Sequence, residues 1–515
     1  MKRLAALVGL LMVILLTASC GRIPNVSSAH TVDVAPRLDP DYTSITIPPN
    51  IAPLNFRIKE PGSDYLVRIS SGQERDIDIR CSEGTCRIPA RKWRALLNAA
   101  QGKTIDYDIY VKGEDGRWAQ FQRVSNHVAR EPIDSYLVYR RLVPNRAFST
   151  IKGIFQRDLE SFETSALLTL RDGTFSCFNC HTFHQNNPNK FIIQSRGKFA
   201  GMTVVTDGRV RRINTKQDPM FRPLAYASWH PDGDHIAATL NMFHSFWPIT
   251  DGRQDFESIE KRGDMVVYSV KENTINTTAE VFGGTHIETH PCWSADGRHI
   301  YYVRHPTRRW RTGADLTLFK SDLMRIAHDV KTGSWGKPET VKAYSELGTS
   351  CSFPRPSPCG KYVLHILADH TTYPIHQNSS DLYLLDIETK EHRRLDSASS
   401  DGSESYPRWS SNGRWFSFVS NRRDGISALP YFAYLDEQGD VHKAFVLPYE
   451  DPAYYDTFTD TYNAPELIKS KVDIEAFKLA QGMQQDAVDA EFPNPPTANV
   501  DTRPVEAPPS SGSHY

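Results

Sequence analysis

One ten-residue phrase recurs four times in the central half of this chain, at 227–236, 291–300, 354–363 and 407–416. The second copy reads Pro291-Cys292-Trp293-Ser294-Ala295-Asp296-Gly297-Arg298-His299-Ile300, and the fourth reads Pro407-Arg408-Trp409-Ser410-Ser411-Asn412-Gly413-Arg414-Trp415-Phe416. In each, a strand ends at an aromatic residue or a proline, a tight turn with glycine reverses the chain, and an apolar strand follows. Glycine is needed where the turn takes positive φ, and Asp or Asn before it tolerates the left-handed region. The third copy carries Cys359 in place of that Asp or Asn. A repeated strand–turn–strand unit cannot bury both its faces alone, so the copies must stack into a repeat architecture. The copies are spaced by roughly 53 to 64 residues, longer than a minimal blade of ~40 to 45, so loops are inserted.

The phrase resembles the repeat of TolB-like β-propellers, P-x-W-S-P-D-G-K-x-I, over about residues 192–448. The resemblance implies six blades, where the length alone admits five to seven, and places the propeller at 191–450. It also implies a scaffold that recruits an envelope protein or peptide at a propeller face. Upstream, 45–145 holds short alternating runs such as Tyr65-Leu66-Val67-Arg68-Ile69 and Ile105-Asp106-Tyr107-Asp108-Ile109. Alternation of this kind marks half-buried strands, and about a hundred residues of it suggest an Ig-like β-sandwich. The expected fold class is therefore all-β, a sandwich followed by a propeller. A short helix is expected over 90–100 inside the sandwich. Cys81 and Cys86 flank a Ser-Glu-Gly-Thr turn, and a local disulfide is the expected fate of the pair.

The N-terminus sets the compartment. Met1-Lys2-Arg3, an apolar run from Leu4 to Leu16 and Thr17-Ala18-Ser19-Cys20 make a secretory signal over 1–20. About thirteen apolar residues fall short of the ~20 that span a bilayer. The ending resembles a bacterial lipobox with Cys20 as the lipidation site, although Thr17 stands where Leu is usual; simple cleavage is the alternative. Gly21 in place of Asp favours the outer over the inner membrane. Residues 21–44 read as a tether, 451–490 as a capping segment with a helix near 473–483, and 491–515 as a disordered tail. Sixty Lys and Arg against 61 Asp and Glu leave a formal charge of −1, which argues against nucleic acid as a partner.

One element stands apart from the scaffold, Cys177-Phe178-Asn179-Cys180-His181, within a junction at 146–190. Two thiols at this spacing can add to both vinyl groups of a haem while the adjacent His ligates the iron, so the expected cofactor is haem c. The alternatives are a Cys177–Cys180 disulfide, or a metal site extended by His184. Met202, His184 and His244 are the candidates for a sixth iron ligand. The junction, with Tyr136-Leu137-Val138-Tyr139-Arg140 and Gln156-Arg157-Asp158-Leu159, is similar to exported propeller lipoproteins labelled cytochrome c biosynthesis proteins. Elsewhere, a Cys292–Cys351 bridge is conceivable, and His286, His290, His365, His370 and His376 are weak metal candidates. Trp247 and Trp310 could meet a glycan. A Gly-x-Ser-x-Gly elbow, a Walker loop and a Rossmann fingerprint are missing from the sequence, so no enzymatic activity is expected. The expected function is an exported, lipid-anchored scaffold that also carries a haem. An electron-transfer haem protein and a non-haem propeller with a structural disulfide are the alternatives.

Overall fold

Alternating sequence becomes strand almost throughout. A computed structural model describes residues 23–72, 77–143, 151–169, 177–215, 222–246, 249–250, 253–254, 257–308 and 313–496. The signal-like start with Cys20, Trp247, Trp310 and residues from 497 onward lie outside them, as do the side chains of Cys177, Cys180 and His244. Strands dominate, with α-helices at Ala90–Ala99 and Ala476–Gln484 close to the expected places. The chain forms two units. One comprises 1–133, 159–163 and 442–458; the other comprises 134–158, 164–441 and 459–515.

The first unit is built on Thr104–Lys112, which pairs with Asp64–Ser70, Trp118–Gln120 and Val124–Val128 in one sheet. Ile105, Tyr107, Ile109 and Val111 are buried along it at the spacing of a half-buried strand. A short sheet of Leu38–Asp39, Phe56–Ile58 and Thr85–Cys86 lies apart. The helix Ala90–Ala99 buries Trp93, Leu96 and Leu97, and Trp93 Nε1 donates to the Ile51 carbonyl at 3.1 Å. Cys81 and Cys86 are joined by a disulfide. Residues 442–458, expected at the end of the propeller and the start of the cap, group with this unit, although Phe445–Val446 is also the fourth strand of the sheet that starts at Glu404–Trp409. Their aromatic content is the reason: Phe445 packs edge-on against Tyr42, and Tyr449 stacks on Tyr454 at 3.7 Å.

The second unit holds six mainly antiparallel sheets of four or five strands among the described residues, besides the two-stranded pair of Ile249–Thr250 and Arg253–Gln254. Their first strands are Thr461–Ile468, Cys177–Phe183, Leu224–Trp229, His286–Trp293, Ser350–Pro356 and Glu404–Trp409, for sheets 1 to 6 in turn. Sheets 2 to 6 each meander outward from the first strand in chain order. Sheet 1 is composite: Thr461–Ile468 pairs with Tyr136–Leu142, which leads to Ile151–Asp158 and Thr164–Thr169. Each first strand contacts the next, and Thr461–Ile468 contacts both Glu404–Trp409 and Cys177–Phe183. Apolar layers fill the spaces between successive sheets; Val138, Phe183 and Phe191 join sheets 1 and 2, and Met202, Trp229 and Tyr268 join sheets 2 and 3. Meander sheets packed face to face in this way are the architecture of a β-propeller. Glu491, expected to open an unstructured tail, is bridged to Thr274, and Phe492 packs on the core of sheets 2 and 3.

The repeated phrase forms the hairpin between first and second strands. Ser294 Oγ accepts the amide of His299 at 3.0 Å, Asp296 accepts that of Arg298 at 3.1 Å, and Gly297 takes φ 72°. Ser410, Asn412 and Gly413 repeat the arrangement. The tryptophans tie neighbouring first strands: Trp229 Nε1 donates to the Thr182 carbonyl at 3.2 Å, and Trp409 Nε1 to that of Arg355 at 2.9 Å.

Candidate functional site

The same irregularity interrupts all six first strands. Each carries one more residue than its partner at mid-strand, between Ala225 and Ser228, Thr289 and Cys292, Ser352 and Arg355, or Ser405 and Arg408. The pairings of Phe178 to His181 and of Asn463 to Glu466 show it too. Such bulges re-aim side chains and recur beside functional sites. Tyr226, His290, Phe353, Tyr406 and Ala464 sit at the bulges with φ between 47° and 56°. A left-handed conformation at an aromatic or branched residue is costly and persists only where the surroundings enforce it.

The bulge residues meet in an aromatic layer. His290 stacks on Phe353 at 4.2 Å, Tyr226 meets His290 edge-on at 4.2 Å, and Phe353 lies 4.7 Å from Tyr406. Tyr373, from the connection after Tyr362–Ala368, hydrogen-bonds Tyr406 hydroxyl to hydroxyl at 2.6 Å. Beside this layer lies Glu260, fully buried, which accepts hydrogen bonds from Thr372 at 2.8 Å, Thr289 at 2.9 Å and Asn241 at 3.3 Å. Burial pushes its carboxyl up to about 7, against the pull of these three neutral donors.

Two residues past each bulge position comes a polar layer: His181, Ser228, Cys292, Arg355, Arg408 and Glu466. They form one electrostatic cluster. Arg355 is lowered by burial and then by the charge of Arg408, with Cys292 and Glu466 opposing. Burial raises the Glu466 carboxyl, and Arg408 and Arg355 pull it back. Burial, then Arg408 and Arg140, hold the His181 ring neutral, with its pKa at about 3. Glu466 Oε1 accepts the Phe183 amide at 2.9 Å, while Oε2 has no hydrogen-bond partner among the described residues. The same holds for Arg355 Nε; the His181 nitrogens have no side-chain partner among the described residues, but the ring faces the backbone of Val138 and Ala464, which favour its protonated form. Among the described residues no ion pair within 4.0 Å joins Glu466 to either Arg355 or Arg408. Ser228 Oγ reaches Cys292 Sγ at 3.7 Å.

Ser228, Cys292, Arg355 and Arg408 hold one position of the repeated phrase, just before its Trp or Pro, but that they share a layer depends on the bulge, which the phrase does not show. His181 of the Cys-x-x-Cys-His element and Glu466 of Pro465-Glu466-Leu467 occupy the same place in copies without the hairpin phrase. The element is thus part of a first strand, Cys177–Phe183, paired with Lys190–Arg196, rather than a separate junction. Of the sixth-ligand candidates, Met202 is buried in the core of sheets 2 and 3, and His184 Nε2 meets the Pro231 carbonyl at 3.1 Å. Cys292 and Cys351 are both free, Cys351 in the core of sheets 4 and 5. Among the described residues His230, Asp232 and His235 come within metal-binding distance of one another. His230 is already committed: its Nδ1 accepts the Asp232 amide at 3.1 Å and its Nε2 meets the Gly297 carbonyl at 3.1 Å.

No protein-family model matches the sequence, and a search of curated proteins finds no relative. Among solved structures, TolB from Acinetobacter baumannii is similar at 15% identity and a TM-score of 0.39, over 70% of this chain and 86% of that one. The TolB of Agrobacterium tumefaciens is similar at 11% and 0.35, over 64% and 98%. Prolyl oligopeptidase B from Galerina marginata is similar at 12% and 0.31, over 52% and 37%. With TM-scores this low, the architecture rests on the chain's own strand order and contacts.

Proposed function

We propose that this chain is an exported protein, lipid-anchored through Cys20, in which an Ig-like sandwich accompanies a closed six-bladed TolB-like propeller. It works as a scaffold that docks an envelope protein on one propeller face, at the outer membrane, without turnover. The observation that carries the docking role is the placement of exposed apolar side chains. Leu318, Leu347 and Ile426 are 54%, 57% and 55% exposed. Leu318 and Ile426 lie on connections between second and third strands, and Leu347 on one between a fourth strand and the next first strand. In a meander these connections all leave from the same end, opposite the hairpins of the repeated phrase. Three of the five large apolar side chains exposed in the described part of the second unit thus lie at that end, the others being Phe477 and Val488, and together they offer contact area to a protein partner. A photoreactive residue at Leu318, Leu347 or Ile426 of the full-length protein in its own envelope is expected to capture one common protein. Capture from Asp296, on the hairpin end, to the same extent would overturn the reading. The mass of the membrane-purified chain tests the anchor, since acyl chains on Cys20 raise it.

A haem on Cys177, Cys180 and His181 is the second reading, favoured by the buried, neutral imidazole of His181. A neutral ring nitrogen is what iron ligation requires, and the bound group would supply one-electron transfer. Protein matured with a haem-attachment system would show a reduced α-band that Cys177→Ala abolishes. A mass without haem and four hydrogens below the all-thiol form, two beyond those removed by the Cys81–Cys86 bridge, would favour the Cys177–Cys180 disulfide.

A further inference from the structure

We propose that the layer of His181, Ser228, Cys292, Arg355, Arg408 and Glu466 is a binding site for a carboxylate, reached from the hairpin end of the second unit. Buried polar groups in folded proteins find partners, and a cluster that does not do so calls for a bound species. Two such atoms belong to this layer, Arg355 Nε and Glu466 Oε2. Both residues are only 6% exposed. Water alone could satisfy neutral groups, but the layer holds two guanidiniums that repel each other against one carboxylate. That imbalance selects an anion.

The chemistry narrows the anion further. Guanidinium forks match the planar, bidentate geometry of a carboxylate. Glu466 in the same layer would repel a dianion such as phosphate, whereas burial has raised its own carboxyl toward the neutral form, which can share a proton with a monoanion. The direction of entry follows from strand order. The aromatic layer of Tyr226, His290, Phe353 and Tyr406, whose neighbouring rings lie 4.2 to 4.7 Å apart, precedes the polar layer along the first strands. On the hairpin side, Arg408 remains partly exposed. The turn at 183–187 crosses that side, with Asn186 Nδ2 donating to the carbonyls of Leu467 at 2.7 Å and Trp409 at 3.2 Å. The site therefore lies at the end away from the proposed docking face, and neither reading depends on the other.

The test uses the full-length protein with butyrate, N-acetyl-triglycine, the amide of that peptide, and sulfate as probes. Butyrate or the free peptide acid is expected to release binding heat and raise the melting temperature; the amide is not. Response to butyrate alone assigns a small organic acid, and response to the peptide acid assigns a chain terminus. In Arg408→Gln the affinity for the carboxylate is expected to fall roughly tenfold or more. Without any probe, the same variant should melt at or above the parent, because a like charge beside Arg355 is gone. The proposal is overturned if no carboxylate binds, if sulfate binds as well as the carboxylates, or if Arg408→Gln binds undiminished. It is also overturned if that variant melts lower without probe, which would mark Arg408 as a structural partner of Glu466. Arg355→Gln repeats the binding test at the buried guanidinium.

Discussion

At the scale of single residues, this fold stores its demands in a few positions. Glu260 is one. Its carboxyl titrates near 7 in the folded protein against an ordinary value of 4.5, because burial disfavours the charge more than Thr372, Thr289 and Asn241 favour it. The folded state therefore holds this proton more tightly than the unfolded state. Stability from this group is full below about pH 4.5 and falls as pH rises toward 7. At ~1.4 kcal/mol per unit, the loss is on the order of 2–3 kcal/mol. Urea titrations at pH 5 and pH 8 should show Glu260→Gln with a smaller drop between the two pH values than the parent. An equal drop would reject the assignment. The phrase glycines offer a second check. Gly297 and Gly360 have nearly the same φ, 72° and 73°, so alanine at either incurs about 1 kcal/mol of backbone strain. A Cβ on Gly297 would also fall 2.3 Å from His230 Nε2, whereas one on Gly360 meets nothing within 4 Å. Gly297→Ala should cost roughly 3 kcal/mol in chemical denaturation, since His230 must give up its bond to that carbonyl. Gly360→Ala should stay near 1.

At the scale of elements, the contacts between first strands are unequal, and tryptophan shows it. Trp409 Nε1 holds the Arg355 carbonyl, while Trp293 Nε1, equally buried, has no partner among the described residues. Phenylalanine at 409 strands a buried carbonyl and is expected to cost on the order of 1–3 kcal/mol beyond the loss of ring area. At 293 only the area is lost, so Trp293→Phe should be the milder change in the same unfolding assay. The repeated phrase made four of the six first strands legible, because Ser, Asp or Asn, and Gly each have a fixed job in the hairpin. Cys177–Phe183 and Thr461–Ile468 escaped because neither continues into that hairpin. The former turns through the strained pair Gln185 and Asn186, at φ 47° and 60°, and the latter ends its sheet. A strand without its turn signal reads as a loop, and Cys-x-x-Cys-His drew attention to the thiols rather than to the strand period. The polar layer went unseen for a related reason. Its six residues share a register position but no residue type, and register around bulges is not readable from one sequence.

At the scale of the whole second unit, the strand Thr461–Ile468 has a consequence out of proportion to its length. It pairs with Tyr136–Leu142, from the other end of the chain, and contacts the first strands on both sides. Leu467 and Ile468 are fully buried, and Gln156 exchanges hydrogen bonds with the backbone of Val472 just beyond, at 2.8 and 3.0 Å. In the closed propeller proposed above, every other sheet's inner contact depends on this one, because a ring without its last member leaves two apolar sheet faces and one strand edge in water. Truncation after Phe458 removes the strand yet keeps all of 1–133, 159–163 and 442–458, the parts of the first unit. Scanning calorimetry of the truncated protein should therefore keep the transition of the first unit. The second unit should lose its cooperative transition and bind a hydrophobic dye well below the parent's melting temperature. A truncated chain that melts like the parent in both transitions would mean that the sheets are stable as an open array, and that the strand from the C-terminal side merely decorates an edge.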